Sequence, residues 1–257
     1  MFEIFTFPHA DPIGLPFACG SWPILITIVS YLIFVLKLGP KFMENREPFK
    51  LRGVLKVYNI FQILFNGLLL LLGLHLIIAE KPYNFSCMLV LPLDHELKNI
   101  DRYINYLYYI NKIIDLMDTV FFVLRKSYKQ ITNLHLIHHV YMAMAPYFWQ
   151  RKYGYGGHYT FSGLLNLFVH IVMYTYYYLS SQNPQIRKSA WWKQYITILQ
   201  LIQFVLMFSH SFWTLLQPNC DVPFPKLFLI MFMSGLMFVM FVNFYRKSYI
   251  HKNKKTA

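Results

Sequence analysis

Long apolar stretches separated by short polar connections run along most of this chain. A helix that crosses a lipid bilayer needs about 20 mostly apolar residues, and seven stretches come close to that length. They cover residues 22–38, 54–79, 103–124, 132–150, 158–180, 191–213 and 224–245. The pattern predicts an all-α, polytopic membrane protein with seven transmembrane helices, and the absence of repeats favours a single domain over residues 1–257. Because little chain remains outside these spans, any chemistry must come from side chains inside the helix bundle or at its rim.

Composition supports a membrane protein, since 56% of the residues are hydrophobic, 19% are aromatic and only 14% are charged. The formal net charge of +13 does not indicate nucleic-acid binding, because the basic residues are spread over the loops. With the N-terminus outside the cytosol, 17 of the 24 Lys and Arg residues fall in cytosolic segments. This bias predicts a lumenal N-terminus and a cytosolic C-terminus. The first 20 residues contain no Lys or Arg, so we do not expect a cleaved signal peptide.

Features of the predicted lumenal loops agree with this orientation. Asn84 begins an Asn-Phe-Ser sequon after the second span, where glycosylation can occur. Cys19, Cys87 and Cys220 all fall on the lumenal side, where a disulfide can persist, and we expect Cys87 to pair with Cys220.

The chain ends with Lys254 and Lys255 at the fourth and third positions from a predicted cytosolic terminus. Two lysines in these positions match the dilysine retrieval signal of endoplasmic reticulum membrane proteins, although a solvated basic tail explains them equally well. Together with the sequon and the cysteines, they favour the endoplasmic reticulum membrane.

Ionisable side chains inside a span are costly and therefore indicate function. In the third span, Lys112, Asp115 and Asp118 are three residues apart and lie along one helix face, which must point into the bundle. A second interpretation stays open, in which Lys112 and Asp115 form a buried ion pair that only fixes helix packing.

The fourth span opens with the sequence HLIHH, which places His135, His138 and His139 on one helix face. Further polar residues follow at helical spacing in the fifth and sixth spans: Asn166, His170 and Tyr174, then Thr197, Gln200 and Gln203. With a rise of about 1.5 Å per residue, these groups lie at similar depths. We expect them to converge on one chamber that opens to the cytosol.

Clustered neutral imidazoles serve either as metal ligands or in nucleophilic and acid–base catalysis. Membrane di-iron desaturases and hydroxylases also contain HxxHH, but they need several such boxes, and this chain has one. The remaining histidines fall in loops, at termini or towards the lumenal side: His9, His75, His95, His158, His210 and His251. Four well-placed imidazoles are enough for a single metal ion but too few for that di-iron site. A metal site is therefore not favoured, but it remains an alternative.

The motifs NKIIDLMDTVFFVLRK, HLIHH, HIVMYTYY and TILQLIQ, in this order, resemble the signatures of the ELO family of very-long-chain fatty acid elongases. These are 3-ketoacyl-CoA synthases, and the resemblance extends from the third span to the sixth. One position differs, because Asp115 stands where the family pattern K-x-x-E-x-x-D-T has Glu. The resemblance implies decarboxylative condensation of malonyl-CoA with a long-chain acyl-CoA in a tunnel between the helices, with no further cofactor and no metal.

The resemblance also implies roles for individual residues. His138 is expected to accept the acyl group or act as the base, with His170 as its partner. His135 and His139 are expected to shape the site and bond the thioester. The other residues expected to bind substrate or orient the imidazoles are Lys112, Asp115, Asp118, Asn166, Tyr174, Gln200 and Arg125. Arg125 belongs to a basic rim that would attract the phosphates of CoA.

A third class, a seven-span receptor or transporter, fits the helix count. The tripeptide from Asp101 to Tyr103 spells a receptor motif, but it lies at the lumenal start of the third span instead of the cytosolic end.

For an elongase, the expected partners are acyl-CoA, malonyl-CoA, membrane lipid and the reductase and dehydratase of the elongation cycle, with no nucleic acid.

Overall fold

The computed structural model describes residues 9–250, which form helices with no β-strand among them. The α-helices are α1 (Ser21–Ile33), α2 (Gly39–Met43), α3 (Arg52–Leu74), α4 (Lys98–Ile114), α5 (Met117–Leu124), α6 (Asn133–Tyr153), α7 (His158–Gln182), α8 (Pro184–Lys188), α9 (Ala190–Leu215) and α10 (Phe224–Tyr245). Three π-helical turns extend or join them: Phe34–Leu38, His75–Glu80 and Arg246–Ile250. The expectation of an all-α fold is confirmed.

Each of the seven predicted spans falls on helix, but the helices differ in their suitability for lipid. Within residues 9–250, four helices are long and apolar enough to cross a membrane: Ser21–Met43, Arg52–Glu80, Ala190–Leu215 and Phe224–Ile250. The helices at the third, fourth and fifth predicted spans do not meet this criterion. At the third span, α4 and α5 are too short, with 17 and 8 residues. At the fourth and fifth spans, α6 and α7 are long enough, with 21 and 25 residues, but they carry polar side chains such as His135, Asn166 and His170.

The third predicted span is not one regular α-helix. It divides at Asp115 and Leu116, between α4 and α5. Around this point the backbone bonds change from i→i−4 to i→i−3: Asp118 N–H donates to the Asp115 carbonyl at 3.2 Å and Thr119 N–H to the Leu116 carbonyl at 3.2 Å. A tighter, 3₁₀-like turn has three residues per turn, so it places Asp115 and Asp118 more nearly above one another than a regular α-helix does.

The helices group into two compact units. The first unit comprises the chain up to Leu51 together with Val90–Gly156, and the second comprises Arg52–Leu89 together with the chain from Gly157 onward. In the first unit, α6 packs against α1 and α4, and α5 packs against α2. In the second unit, α7 packs against α3 and α9, and α9 packs against α10.

Buried charges attach the segment before α1 to the rest of the first unit. Arg102 Nε donates to Asp11 Oδ2 at 2.7 Å, with both side chains almost fully buried. Nearby, Lys98 Nζ donates to the Tyr155 carbonyl at 3.1 Å, and burial lowers the pKa of this ammonium group. The loop that carries Tyr155 needs Gly156, because its φ is +90° and a Cβ there would overlap the Asp101 carboxylate.

In the second unit, a disulfide joins Cys87 and Cys220, the pair named from the sequence, with a Cα–Cα distance of 5.7 Å. It links the loop after the π-helical turn His75–Glu80 to the loop between α9 and α10. The loop after Glu80 is also held by His210, whose Nε2 donates to the Phe85 carbonyl in that loop at 2.9 Å. The His210 ring in turn stacks on the His158 ring, with centroids 4.5 Å apart.

We expect Cys220→Ser to destabilise the protein by about 2–4 kcal/mol, because the disulfide closes a long loop and restricts the unfolded chain. Thermal unfolding in detergent, followed with and without reductant, measures the effect. Cys19→Ser is the matched control, since Cys19 is a free cysteine. A melting temperature for Cys220→Ser equal to that of Cys19→Ser would contradict the expectation.

Candidate active site

The HLIHH histidines lie in the first two turns of α6. Thr132 caps this helix, and its hydroxyl oxygen accepts a hydrogen bond from the His135 N–H at 3.2 Å. The cap sets the start of the helix and therefore the face on which the imidazoles stand. The His135 and His139 ring centroids are 4.2 Å apart, and those of His138 and His139 are 5.3 Å apart. The structure thus brings the three imidazoles of the HLIHH motif into one contiguous group.

The His135 ring is also bonded to the neighbouring helix α5. Its Nε2 lies 2.7 Å from the hydroxyl oxygen of Thr119, which is fully buried. The same hydroxyl is 2.8 Å from the hydroxyl of Tyr31 on α1. Sequence reasoning assigned no role to Tyr31, because one tyrosine in a long apolar stretch gives no signal of its own.

Lys112 and Asp115 form a direct ion pair, with Lys112 Nζ 2.8 Å from Asp115 Oδ2 and side-chain exposures of 0% and 3%. Lys112 and Asp115 therefore lie on one helix face, as predicted for the third span. The ammonium group also lies over the Tyr108 ring, 5.0 Å from its centroid. This is the pairing that the sequence left open as an alternative to a direct role in binding substrate. Asp118 is half-buried and follows the tightened turn.

Arg125 ends α5 and is exposed. The helix terminus is a Schellman motif, because Lys126 N–H donates to the Val123 carbonyl and Ser127 N–H donates to the Phe122 carbonyl. Lys126 adopts the left-handed conformation that this motif requires, with φ of 52°. The terminus leaves the Arg125 side chain accessible to an anionic ligand.

In the second unit, Asn166, His170 and Tyr174 lie one turn apart on α7 and are all buried. The His170 and Tyr174 ring centroids are 5.7 Å apart. Tyr174 also contacts Tyr58 of α3 edge to face, with centroids 5.9 Å apart. The predicted row on α7 is therefore a buried polar stripe that faces α3.

A second polar row in the second unit escaped sequence analysis. Gln62 Nε2 donates to the Tyr58 hydroxyl at 3.2 Å, and Asn66 Nδ2 donates to Gln62 Oε1 at 2.9 Å. Asn59, Gln62 and Asn66 are buried on α3. Their spacing of three and four inside an apolar stretch is the same signal that marked the fifth and sixth spans, so the sequence alone contained it.

Of the residues predicted on the sixth span, Thr197 and Gln203 are buried on α9 and Gln200 is half-buried. Thr197 donates to the Lys193 carbonyl of its own helix at 2.9 Å. Gln203 Nε2 lies 3.6 Å from the sulfur of Met207, also on α9.

His158 and His210, which the sequence analysis separated from the candidate active-site histidines, form their own pair in the second unit. Besides stacking on His210, His158 has its Nε2 2.9 Å from the Ser211 hydroxyl. His158 lies 12 residues before His170 on α7, about 18 Å along the helix axis. The pair is thus distant from His170 within this unit.

Two further expectations concern residues at the surface and at the terminus. Asn84 is exposed, and its side-chain oxygen accepts hydrogen bonds from Ser86 N–H at 3.1 Å and the Ser86 hydroxyl at 2.9 Å. Lys254 and Lys255 lie outside the described residues.

Within residues 9–250, no three His, Cys, Asp or Glu side chains are grouped as metal ligands would be.

The fold and the histidine group describe an all-helical protein with membrane-spanning helices and polar side chains buried among them. The profile of the ELO: GNS1/SUR4 family matches residues 16–257 of the chain. The chain belongs to this family and is a multi-pass membrane protein.

Similar proteins include the very long chain fatty acid elongase F of Drosophila melanogaster, 47% identical over 251 residues that cover 98% of each chain. The very long chain fatty acid elongase 7 of the same organism is 37% identical, over 93% of this chain and 72% of that protein. The very long chain fatty acid elongase 1 of Mus musculus is 36% identical, over 94% of this chain and 87% of that protein. These relatives associate the family with fatty acid elongation.

We expect the stability contributions of Lys112 and Asp115 to be coupled, so that replacing one residue of the ion pair costs more stability than replacing both. Lys112→Met or Asp115→Leu alone leaves one charge without its closest counter-ion and should destabilise the protein by about 3–5 kcal/mol. The double variant Lys112→Met/Asp115→Leu should recover most of that loss. Thermal unfolding of the three variants in detergent tests this coupling, and additive losses in the double variant would show that the pair is not a unit.

Proposed function

We propose that this protein is the condensing enzyme of fatty acid elongation and joins malonyl-CoA to a long-chain acyl-CoA. The products are 3-ketoacyl-CoA, carbon dioxide and free CoA. The observation that carries the proposal is the contiguous group of His135, His138 and His139 in a member of the elongase family. The proposal requires no cofactor beyond the two CoA thioesters.

In the proposed mechanism, the His138 imidazole attacks the thioester carbon and expels the CoA thiolate, which leaves an acyl-imidazole. Malonyl-CoA then loses its carboxylate as carbon dioxide, and the carbanion that forms attacks the acyl carbon. The bond from the acyl carbon to the imidazole breaks and His138 is restored. His170 serves as a second acid–base group in the reaction.

The cysteines support histidine as the nucleophile. Soluble condensing enzymes of this type use a thiolate, but Cys87 and Cys220 are joined in a disulfide. The remaining thiol, Cys19, donates to the Leu15 carbonyl at 2.6 Å in the segment before α1, outside the histidine group. An imidazole can carry an acyl group in place of a thiol because its neutral nitrogen is a nucleophile near neutral pH.

The neighbouring polar residues have supporting roles in the proposal. Asn166 and Gln200 donate hydrogen bonds to the oxyanion that develops on the thioester oxygen, and Tyr174 orients His170 through the ring contact between them. Lys112 and Asp115 act together, as a pair that sets the local charge, and Asp118 contributes a further carboxylate. Arg125, exposed at the end of α5, attracts the phosphates of CoA.

The proposal includes seven spans, a tunnel open to the cytosol for the acyl chain, a lumenal N-terminus and a cytosolic C-terminus. Residence in the endoplasmic reticulum would use Lys254 and Lys255, and glycosylation would occur at Asn84, which is exposed. The distribution of Lys and Arg supports this orientation. The reductase and dehydratase that process the 3-ketoacyl product are the proposed partners.

We expect His138→Ala and His170→Ala each to abolish incorporation of labelled malonyl-CoA into long-chain acyl products, because each removes a reacting imidazole. The measurement uses purified protein with a panel of acyl-CoA lengths, so that it reports activity and chain-length preference together. His75→Ala is the control, since this histidine is exposed and its side chain lies against Glu80, with His75 Nε2 3.3 Å from Glu80 Oε1. Near-normal condensation by either His138→Ala or His170→Ala would refute the assignment.

A di-iron desaturase or hydroxylase makes the opposite prediction, because that chemistry depends on iron, oxygen and a reductant. The proposed condensation should proceed in the presence of chelator, without oxygen and without an electron donor. Metal analysis of active protein and an anaerobic assay with EDTA separate the two functions. Loss of all turnover in the anaerobic assay would favour the oxidative alternative.

A further inference from the structure

Three helices of the first unit are connected by a chain of two short hydrogen bonds. The Tyr31 hydroxyl of α1 is 2.8 Å from Thr119 Oγ1 of α5, which is 2.7 Å from His135 Nε2 of α6. Tyr31 is 6% exposed and Thr119 is 0% exposed. These two hydrogen bonds therefore connect the buried core of the unit to His135, the first imidazole of the HLIHH group.

The fold holds each member of this chain in place. Tyr31 lies on the inward face of α1, which repeats every three or four residues from Ile24 through Ile28. Thr119 stands directly after the tightened turn between α4 and α5. His135 is in the first turn of α6, where the Thr132 cap holds its backbone.

The direction of the hydrogen bonds follows from counting hydrogens. Each hydroxyl has one hydrogen to donate, and within residues 9–250 Thr119 Oγ1 is the one hydrogen-bond partner of the Tyr31 hydroxyl. If Tyr31 donates to Thr119 and Thr119 donates to His135 Nε2, both hydrogens have an acceptor. The reverse direction leaves the buried Tyr31 hydrogen without an acceptor within residues 9–250. Donation to Thr119 by both Tyr31 and a His135 Nε2–H leaves the buried Thr119 hydrogen without one. Either arrangement costs about 1–3 kcal/mol.

This direction determines the state of the imidazole. Nε2 of His135 is an acceptor, so the ring hydrogen of the neutral side chain must be on Nδ1. Within the described residues, the side-chain hydrogen bond of His135 is the one to Thr119. The Nδ1 hydrogen is therefore available to donate to a substrate atom.

We propose that Tyr31 is a positioning residue that acts through Thr119 to hold His135 as its Nδ1–H tautomer, with that hydrogen available to the thioester oxygen. The inference rests on the proposed condensing function. It adds a residue of the first helix, far in sequence from the family motifs, to the machinery. It also gives His135 a specific part, as a hydrogen-bond donor distinct from the acyl-accepting His138.

The first test is kinetic. Tyr31→Phe removes only the hydroxyl, so we expect kcat for condensation to fall about tenfold, as for other residues that orient a reacting group, while KM for acyl-CoA changes less than twofold. Thr119→Val should show a loss at least as large, and Thr119→Ser, which keeps the hydroxyl, should remain near wild type. Because the two residues act in series, Tyr31→Phe/Thr119→Val should be no worse than Thr119→Val alone.

The matched control is Tyr109→Phe. Tyr109 is another fully buried tyrosine of the same unit, and its hydroxyl donates to the Phe17 carbonyl at 3.0 Å instead of to Thr119. Its loss should leave kcat within twofold of wild type. A merely structural role for buried hydroxyls would reduce kcat equally in Tyr109→Phe and Tyr31→Phe, and that result would overturn the proposal.

The second test is spectroscopic and does not depend on turnover. In protein labelled with ¹⁵N-histidine, the imidazole signals lost in His135→Gln identify this residue, and wild type should show a protonated Nδ1 with an unprotonated Nε2. In Tyr31→Phe a protonated Nε2 should appear. A protonated Nε2 in wild type would overturn the tautomer assignment.

The two proposals fail in different ways. If wild-type protein does not condense malonyl-CoA with any acyl-CoA, the proposed function fails and the role of Tyr31 fails with it. If wild type is active and Tyr31→Phe has the wild-type kcat, only the role of Tyr31 fails.

Discussion

A polar group buried among hydrocarbon must have a partner, because an unsatisfied donor, acceptor or charge in that environment costs several kcal/mol. The polar side chains of the first unit meet this constraint in pairs and chains. Lys112 is paired with Asp115, and the Tyr31 hydroxyl is linked through Thr119 to His135. The hydrogen bonds of Thr119 connect α1, α5 and α6, and the Lys112–Asp115 pair lies at the end of α4. The same bonds that make polar burial tolerable therefore also hold the His135 imidazole in place.

The second unit satisfies the same constraint in a different way. On α3, amide and hydroxyl groups bond along their own helix, from Asn66 through Gln62 to Tyr58. The Tyr58 ring then packs against Tyr174, one turn from His170. At the beginning of α7, His158 instead stacks on His210 and bonds Ser211. His158 and His170 lie on the same helix but in separate polar environments. Of these two, His170 belongs to the α7 motif that resembles the elongase signature, HIVMYTYY.

Reactivity in this protein depends on which groups the fold leaves available. The disulfide removes two of the three cysteines from nucleophilic chemistry. The Lys112–Asp115 pair binds its charges to each other, which suits a role in setting local charge better than direct capture of a substrate phosphate. Exposed Arg125 is better placed for such a phosphate. Under the proposed function, the covalent chemistry falls to the imidazoles, which have a nucleophilic form near neutral pH.

The sequence by itself determined the class of fold, the grouping of three histidines on one helix and the resemblance to elongases, and it predicted where the long apolar helices lie. These depend on local spacing and on the length of apolar stretches, which a linear pattern records directly. Asn59, Gln62 and Asn66 carry the same signal, so they too were within reach of the sequence.

The tertiary structure decided the break after Ile114, the pairing of Lys112 with Asp115 in place of separate roles, and the partners of the imidazoles. The role proposed for Tyr31 depends on its contact with Thr119, 88 residues further along the chain. A hydrogen bond between helices depends on their packing and on the rotation of each about its axis. Neither is encoded in the spacing of residues along one helix, so only the folded chain shows which hydroxyl meets which imidazole.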